Sequence, residues 1–136
     1  MAIEIDLNTI SALVKGVELN SKVHHLGIVV PKIVSAEMME RACEYTVFFE
    51  FQSLYMSYFY LDGVIIELLK PKTIDSPLRK YINSTKYVVD HLCYYGLEND
   101  DQGIKVTEKF YSPLWGKKCQ FFLSKDLNKY EIIYEN

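Results

Sequence analysis

The 136-residue sequence lacks the features of secreted, membrane and nucleic-acid-binding proteins. Its three cysteines (Cys43, Cys93 and Cys119) are odd in number and form no CxxC pair, so we interpret them as reduced, mostly buried thiols of a cytoplasmic protein. Lys and Arg form no basic stripe and the net charge is −3, so nucleic acid is not an expected partner. Because no apolar run approaches about 18 residues and no secretory signal opens the chain, no membrane association is expected.

What the sequence does contain is typical of one globular domain. Apolar residues make up 49% and charged residues 24%, which is enough to bury a core without a disulfide scaffold. Aromatic residues reach 14%, with eleven Tyr and seven Phe. Tyr suits strands that have one buried and one wet face, so this excess indicates a sheet.

The apolar pattern of the first half predicts a helix, a strand, a second helix and three strands. Asp6 or Asn8 is a candidate cap for the first helix, and Ser35 for the second. Asp62-Gly63 is a strong hairpin signal. The predicted elements are a helix over 7–19, a strand over 23–30, a helix from Ser35 to about Tyr45, two strands within 47–61 with a turn near Gln52-Ser53, and a strand over 64–69.

The second half repeats this strand pattern without the helix. Ser76-Pro77 fits the cap and first position of a short linker helix over about 76–84. A strand over 87–95 follows, then a loop over 96–103. Three further strands are predicted over 104–111, 117–124 and 129–135. The missing helix would leave one sheet face uncovered, and we expect the N-terminal helix to pack there.

Two His and two Glu recur at nearly equal spacing. His25, followed by Leu, lies in the first strand of half one, and His91, also followed by Leu, lies 66 residues later. Glu67 lies in the last strand of half one, and Glu131 lies 64 residues later in the equivalent strand. Self-similarity at a fixed period is the mark of a repeat. The quartet therefore forms a constellation on equivalent strands.

This quartet suggests a metal site. A carboxylate within an apolar strand such as VIIELL is costly to bury without a cation, a metal or a polar cavity. Two imidazoles and two carboxylates suit one divalent ion of Mn, Fe, Co, Ni or Zn, and they leave two octahedral positions open. Adjacent strand residues point to opposite faces, so only one of His24 and His25 is expected to join, and only His25 matches His91.

Several motifs resemble the vicinal-oxygen-chelate (glyoxalase, bleomycin-resistance and dioxygenase) superfamily, most closely its methylmalonyl-CoA epimerase-like branch. HHLGIVV resembles the opening strand of the family, and VVDHLCYY resembles its second opening strand. VIIELLKP followed by SPLRKYI resembles the closing strand and linker, and GKKCQFFLSKD followed by KYEIIYE resembles the last hairpin. The resemblance covers about residues 23 to 135. It implies an α+β fold in which paired βαβββ modules form a half-open, eight-stranded, barrel-like sheet.

The resemblance also divides the chain and assigns the site. Residues 1–22 become an N-terminal helical extension, and 23–136 become the glyoxalase-like domain, with modules at about 23–71 and 87–136. The resemblance places the family's four metal positions on His25, Glu67, His91 and Glu131. It also implies that Glu131 is the catalytic acid/base. Family reactions stabilise developing charge on oxygen. The epimerases carry a second base, but the strand reading Leu54-Tyr55-Met56-Ser57-Tyr58 has no carboxylate.

The function implied is a metal-dependent isomerase, epimerase or lyase that acts on a small carbonyl compound or acyl thioester through a metal-stabilised enolate. The alternative is a drug-sequestering protein of the same fold, although such members often lack a complete quartet. A metal-binding subunit of a larger assembly is a third reading. The candidate substrate contacts are Trp115, Tyr55 and Lys118. The alternative interpretation of Trp115 is a hydrophobic plug, and that of Lys118 is a solvated surface lysine. Family members often form homodimers, and the open edges of a half-barrel favour pairing.

Cys93 lies two residues beyond His91, on the same strand face. It can therefore line the cleft and, as a thiolate, compete as a ligand. Burial as a small hydrophobic side chain is the favoured interpretation, because free Cys usually behaves in that way.

Overall fold

One mixed β-sheet forms the body of the protein, and two short helices pack against it. The structure is a computed structural model that describes residues 4–96 and 103–135. Within these residues it contains two α-helices, α1 (Leu7–Lys15) and α2 (Ala36–Ala42), and nine strands: β1 (Val23–Val29), β2 (Tyr45–Phe49), β3 (Leu54–Leu61), β4 (Val64–Pro71), β5 (Val88–Gly96), β6 (Ile104–Lys105), β7 (Phe110–Ser112), β8 (Lys117–Leu123) and β9 (Lys129–Tyr134).

The sheet consists of two similar halves. Its strand order is β2-β3-β4-β1-β5-β9-β8-β6, with β7 also paired to β8. In each half the first strand runs parallel to the last, β1 to β4 and β5 to β9, and the last strand pairs antiparallel with the one before it. The halves join through the antiparallel pair β1–β5. The α+β class and the half-open sheet of paired modules are therefore confirmed.

The strand count differs from the predicted eight because the predicted strand 104–111 is interrupted. The N–H groups of Val106 and Thr107 both donate to the carbonyl oxygen of Phe121, at 2.9 and 3.3 Å. Two residues thus meet one on the partner strand, which bends the chain. The segment divides into β6 and β7. Most of the predicted loop 96–103 lies outside the described residues.

Local capping and turn signals decide where the helices and hairpins end. Asp6 and Ser35 cap α1 and α2 by accepting from backbone N–H groups three residues on. α1 ends before Gly16 rather than at 19, because the Gly16 N–H caps the last turn, and α2 ends before Tyr45. Asp62 and Gly63 adopt φ of +51° and +81°, so the predicted two-residue hairpin joins β3 to β4.

The predicted linker helix over 76–84 is reduced to a single 3₁₀ turn, Arg79–Tyr81. Its hydrogen bonds span three residues, from the Tyr81 N–H to the Leu78 carbonyl and from the Ile82 N–H to the Arg79 carbonyl. Such turns rarely extend beyond a few residues. The Ser76 hydroxyl accepts from the Leu78 N–H, so the capping signal there is real although no α-helix follows.

The larger apolar core lies where α1 and α2 meet the sheet. Its fully buried members include Ile10 of α1 and Met39 of α2, packed with residues of β1 and β4. The Asp6 N–H donates to the Tyr87 hydroxyl just before β5, at 3.0 Å, and Val17 shares a shallow cleft with residues of β5. Leu13 and Val14 of α1 pack in the same core as Val89 and Leu92 of β5, so α1 reaches the first strand of the second half, and its replacement of the missing helix stays a prediction. The described apolar cluster on β8 and β9 is made of strand residues alone.

No helix within residues 4–96 and 103–135 is long and apolar enough to cross a membrane.

Candidate metal centre

The site lies where the two halves meet, at the β1–β5 pair. Three pairs of residues face one another there: Leu26 and Leu92, His25 and Cys93, and Gly27 and His91. This register is symmetric about the leucine pair, so each half contributes one His. Gly27 is required here, because a Cβ at this position would collide with the imidazole ring of His91.

The two carboxylates arrive from the strands on either side. In β4, Glu67 lies beside Gly27, and in β9, Glu131 lies beside Cys93. The β1–β4 pair and the β5–β9 pair have the same register, so Glu67 and Glu131 occupy equivalent positions in the two halves. Both carboxylates therefore reach the same face of the sheet as the imidazoles. All four side chains are buried, with residue exposures between 0% and 4%. The structure thus brings together the quartet that the sequence repeat predicts.

A β-bulge precedes each histidine. In β1 the register shifts between Val23 and His25, so His24 is the extra residue. In β5 the shift lies opposite Gly27 and Ile28, and Asp90 is the extra residue. An extra residue in a strand re-aims its side chain, so His24 lies beside His25 and Asp90 beside His91, each with an atom 2.7 Å from the Nδ1 of its neighbour. The expectation that His24 and His25 must point to opposite faces was therefore wrong, because it assumed a regular strand.

The donor atoms of the quartet are spaced as ligands of one ion. The Nε2 atoms of His25 and His91 lie 3.2 Å apart. Oε1 of Glu67 lies 3.3 Å from each Nε2, and Oε1 of Glu131 lies 3.1 and 3.2 Å from them. Donors about 2.0–2.2 Å from a shared ion are separated by roughly 3.0–3.5 Å at tetrahedral or cis-octahedral angles. The observed spacing fits such an ion.

Hydrogen bonding also favours a cation at this point. Oε1 of Glu131 is buried and accepts no hydrogen bond from a described residue, despite the nearby imidazoles. A buried carboxylate oxygen without a partner is costly. The Nδ1–H of His91 donates to Asp90, so Nε2 is the nitrogen that faces the other donors and would bind an ion in its deprotonated form. A carboxylate on the outer nitrogen of a ligand histidine fixes its tautomer in metal sites.

The charges in the cluster stabilise one another. Burial disfavours the charged form of every member, but Glu67 and Glu131 raise the pKa of His25, and Asp90, Glu131 and Glu67 raise that of His91 well above its ordinary value. The imidazoles in turn lower the pKa values of Glu67 and Glu131. Burial and the neighbouring His25 lower the pKa of His24 to about 4, so His24 is a neutral partner of the site.

Asp90 and Lys129 extend the site on the His91 side. The side chain of Asp90 is almost fully buried, and Lys129 Nζ lies 3.0 Å from its Oδ1 and 2.9 Å from its Oδ2. Burial raises the pKa of Asp90, but His91 and Lys129 more than offset this and lower it overall. Neither residue was predicted from the sequence. The signal for Asp90 was its place directly before the candidate ligand His91, equivalent to that of His24 before His25.

A cavity of about 290 Å³ opens beside the quartet. Glu67, His91 and Glu131 form part of its wall, so a molecule in the cavity would contact three of the four candidate ligands. The cavity lies at the small end of ligand sites. Most of the remaining lining residues are apolar, and five are polar or charged: Leu54, Met56, Leu69, Pro77, Leu78, Val106, Phe110 and Phe121, with Gln52, Lys80, Asp90, Thr107 and Lys129.

The three predicted substrate contacts lie elsewhere. Trp115 is half-buried and donates its indole N–H to Oε2 of Glu67, at 3.0 Å, outside the residues that line the cavity. Tyr55 packs against Phe48 and the helix-covered core, whereas Leu54 and Met56 face the cavity. Lys118 is exposed, on the opposite face from the buried Cys119. The period-two alternation of strands turns the last two side chains away.

Cys93 is fully buried beside Cys119 and Ile133. Burial raises the pKa of the Cys93 thiol well above its ordinary value, and the charges of Glu131 and Glu67 raise it further. The favoured interpretation of Cys93 as a buried apolar side chain is consistent with this environment, because a neutral thiol is a poor ligand.

Comparison with known proteins supports the fold. No protein-family model and no curated protein sequence matches the chain. Among solved structures, the chain is similar to a hypothetical protein of Bacillus halodurans (20% identity, 86% of this chain and 96% of that one, TM-score 0.64). It is also similar to methylmalonyl-CoA epimerase of Mycobacterium tuberculosis (15%, 88% and 93%, TM-score 0.65).

A third similar structure is a variant of Streptomyces coelicolor methylmalonyl-CoA epimerase in complex with 2-nitronate-propionyl-CoA (17% identity, 83% of this chain and 96% of that one, TM-score 0.61). The chain thus shares the fold of these structures, and this is the architecture that the resemblance of its motifs implies. At these identities the likeness establishes architecture, and the chemistry must be argued from the site.

Proposed function

We propose that this protein is a metal-dependent enzyme acting on a small carbonyl compound, as an isomerase, epimerase or lyase. The observation that carries the proposal is the convergence of two imidazole nitrogens and two carboxylate oxygens at 3.1–3.3 Å, in the wall of an apolar cavity. His25, Glu67, His91 and Glu131 would hold one divalent ion of the Mn-to-Zn series. When bound, the ion would stabilise the negative charge that an enolate carries on oxygen.

Glu131 is the proposed acid/base. Both carboxylates face the cavity, but Oε2 of Glu67 is already bonded to the Trp115 indole. The Trp115 indole does not bond to Glu131, whose Oε1 faces the two imidazoles, so we assign the acid/base role to Glu131 rather than to Glu67. A carboxylate in this position can take a proton from the carbon beside a substrate carbonyl and return it. The same residue has this role in the epimerase-like branch that the motifs resemble.

Proton transfer is proposed to occur on one side of the substrate. The cavity wall contributed by β3 consists of Leu54 and Met56, and no carboxylate of that strand stands opposite Glu131 among the described lining residues. One base can move a proton between neighbouring carbons or expel a leaving group, whereas two-base epimerisation needs a second group on the other face. The isomerase or lyase form of the proposal is therefore favoured.

The substrate class follows from the cavity. A volume of about 290 Å³ accommodates a small acid or the acyl end of a larger molecule. Several of the similar epimerase structures are complexes with 2-nitronate-propionyl-CoA or methylmalonyl-CoA. We therefore include acyl thioesters, with the CoA portion outside the cavity, beside small hydroxy and keto acids.

Hydrogen exchange tests this proposal directly. Protein loaded with Mn, Co, Ni or Zn would be incubated in D₂O with methylmalonyl-CoA and with a panel of α-hydroxy and α-keto acids. Deuterium uptake at the carbon beside the carbonyl would be followed by NMR. We expect uptake with at least one substrate, and a loss of about 10²–10⁴-fold in Glu131→Gln at confirmed metal loading.

The control variant is Tyr111→Phe, which removes one hydroxyl from a side chain that is 63% exposed. It should exchange at the wild-type rate. If fully loaded wild-type protein exchanges no proton of any substrate class, the enzyme proposal is wrong.

A second candidate is sequestration of an apolar compound without catalysis. The apolar walls and the missing carboxylate on β3 favour it. Binding of a hydrophobic probe to metal-free protein, unchanged by Glu131→Gln and accompanied by no proton exchange, would support this alternative.

A further inference from the structure

Trp115 contacts two of the four proposed ligands. Its indole N–H donates to Oε2 of Glu67 at 3.0 Å. Its ring stacks on the imidazole of His25, with ring centroids 4.6 Å apart and planes 25° from parallel. The edge of His24 approaches the same ring at 4.8 Å, and the Tyr58 ring lies 5.3 Å away. The indole is thus fixed by contacts on several sides.

The turn that carries Trp115 is also well defined. The Trp115 N–H donates to the Ser112 hydroxyl at 3.3 Å, and the Gly116 N–H donates to the Ser112 carbonyl at 2.9 Å. Gly116 has φ of +68°, a conformation that glycine adopts without strain. The turn belongs to the second half of the chain, whereas His25 and Glu67 belong to the first. Trp115 therefore links the halves through the site.

The indole bond limits what Glu67 can offer. Oε1 faces His25 and His91 at 3.3 Å, while Oε2 accepts from the indole. A carboxylate whose second oxygen is held in this way presents one donor oxygen rather than two. Hydrogen bonds to a ligand's outer atoms orient it, and their loss typically lowers metal affinity 10–100-fold.

We propose that Trp115 is a positioning residue of the metal centre: its indole N–H holds Oε2 of Glu67, so that Oε1 is the oxygen that would be offered to an ion. This inference rests on the proposed function, since it presumes that the quartet binds an ion. It assigns Trp115 a role other than the substrate contact or hydrophobic plug that its place on a loop suggests.

The test is Trp115→Phe, which keeps an aromatic ring and removes the N–H. We expect Co²⁺ affinity, measured by competition with a chromophoric chelator, to fall about 10–100-fold. The visible absorption of the saturated Co²⁺ complex should also change, because it reports the donor set. Tyr111→Phe, which removes a hydroxyl from an exposed ring in the same segment, should alter neither quantity.

Unchanged affinity and spectrum in Trp115→Phe would overturn the proposal. A second result would also overturn it: weaker Co²⁺ binding with a wild-type spectrum and a lower denaturation midpoint of the metal-free variant. That combination would mean that Trp115 only packs the fold. Wild-type protein that binds no Co²⁺ at all would instead defeat the proposed function itself.

A second measurement avoids the risk that the variant fails to fold. The chain has a single Trp, so ¹⁵N-labelled wild-type protein gives one indole N–H signal. We expect that signal to move on saturation with Zn²⁺ and to move in Glu67→Gln. A signal that stays in place in both experiments would show that the indole does not act through Glu67.

Discussion

The substitution Gly27→Ala tests whether the close approach of β1 and β5 positions His91. A methyl group on Gly27 would collide with the imidazole of His91, whose ring would have to retreat by about 1 Å to reach ordinary contact. The ring is held at both nitrogens: Nδ1 bonds to Asp90 at 2.7 Å, and Nε2 faces the other donors at 3.2–3.3 Å. It cannot retreat without disturbing one of these contacts.

The magnitude follows from the tolerance of metal bonds. Ligand distances in metal sites are held within about 0.2 Å, so a shift of about 1 Å removes most of the contribution of His91. We expect Zn²⁺ affinity to fall at least about tenfold, or about 1.4 kcal/mol. Overpacking should lower the free energy of unfolding of the metal-free protein by about 1–3 kcal/mol. Chelator competition and urea denaturation measure the two effects separately.

Gly16→Ala is the matched control. Gly16 has φ of −81°, and a Cβ there would meet only ordinary contacts, at 3.5 Å or more. This variant should bind Zn²⁺ as the wild type does. A folded Gly27→Ala protein with wild-type Zn²⁺ affinity would refute the reasoning, because His91 would then be either mobile or not a ligand.

Three further predictions follow from contacts outside the quartet. Asp90→Asn removes the charge that fixes His91, so Zn²⁺ affinity should fall about 10–100-fold while the circular dichroism spectrum is unchanged; unaltered affinity would exclude this role. Ile10→Ala removes a fully buried side chain and should lower the free energy of unfolding by roughly 2–5 kcal/mol; a urea midpoint equal to the wild type would mean that α1 is not part of the core. Ser35→Ala removes the cap of α2 and should cost about 0.5–2 kcal/mol in the same assay, with metal binding as the control that stays constant.

Much of the fold could be predicted because its signals are local. Alternating apolar strands, the Asp62-Gly63 turn and the caps at Asp6 and Ser35 each depend on a few neighbouring residues, and the structure contains them. The quartet could be predicted because a repeat places equivalent residues on equivalent strands. The predicted linker helix over 76–84 was wrong because it rested on a local signal alone. A good cap at Ser76 does not ensure that the following turns remain α-helical.

The surroundings of the site could not be predicted because they depend on register. The two bulges that bring His24 and Asp90 beside His25 and His91 are irregularities of pairing, and the strand alternation that the sequence suggests has no such shifts. The Trp115–Glu67 bond joins residues 48 positions apart. Only the folded turn at Ser112 and Gly116 shows which way the indole points.

Metal content tests the central claim most directly. Protein purified without chelators or an affinity-column metal would be measured by elemental analysis, beside Glu67→Ala, Glu131→Ala and the control Glu108→Ala, whose carboxylate is exposed. We predict about one divalent ion per chain in the wild type and in Glu108→Ala, and none in the two quartet variants. Wild-type protein that holds no ion, even after loading with Mn, Co, Ni and Zn, would contradict the account.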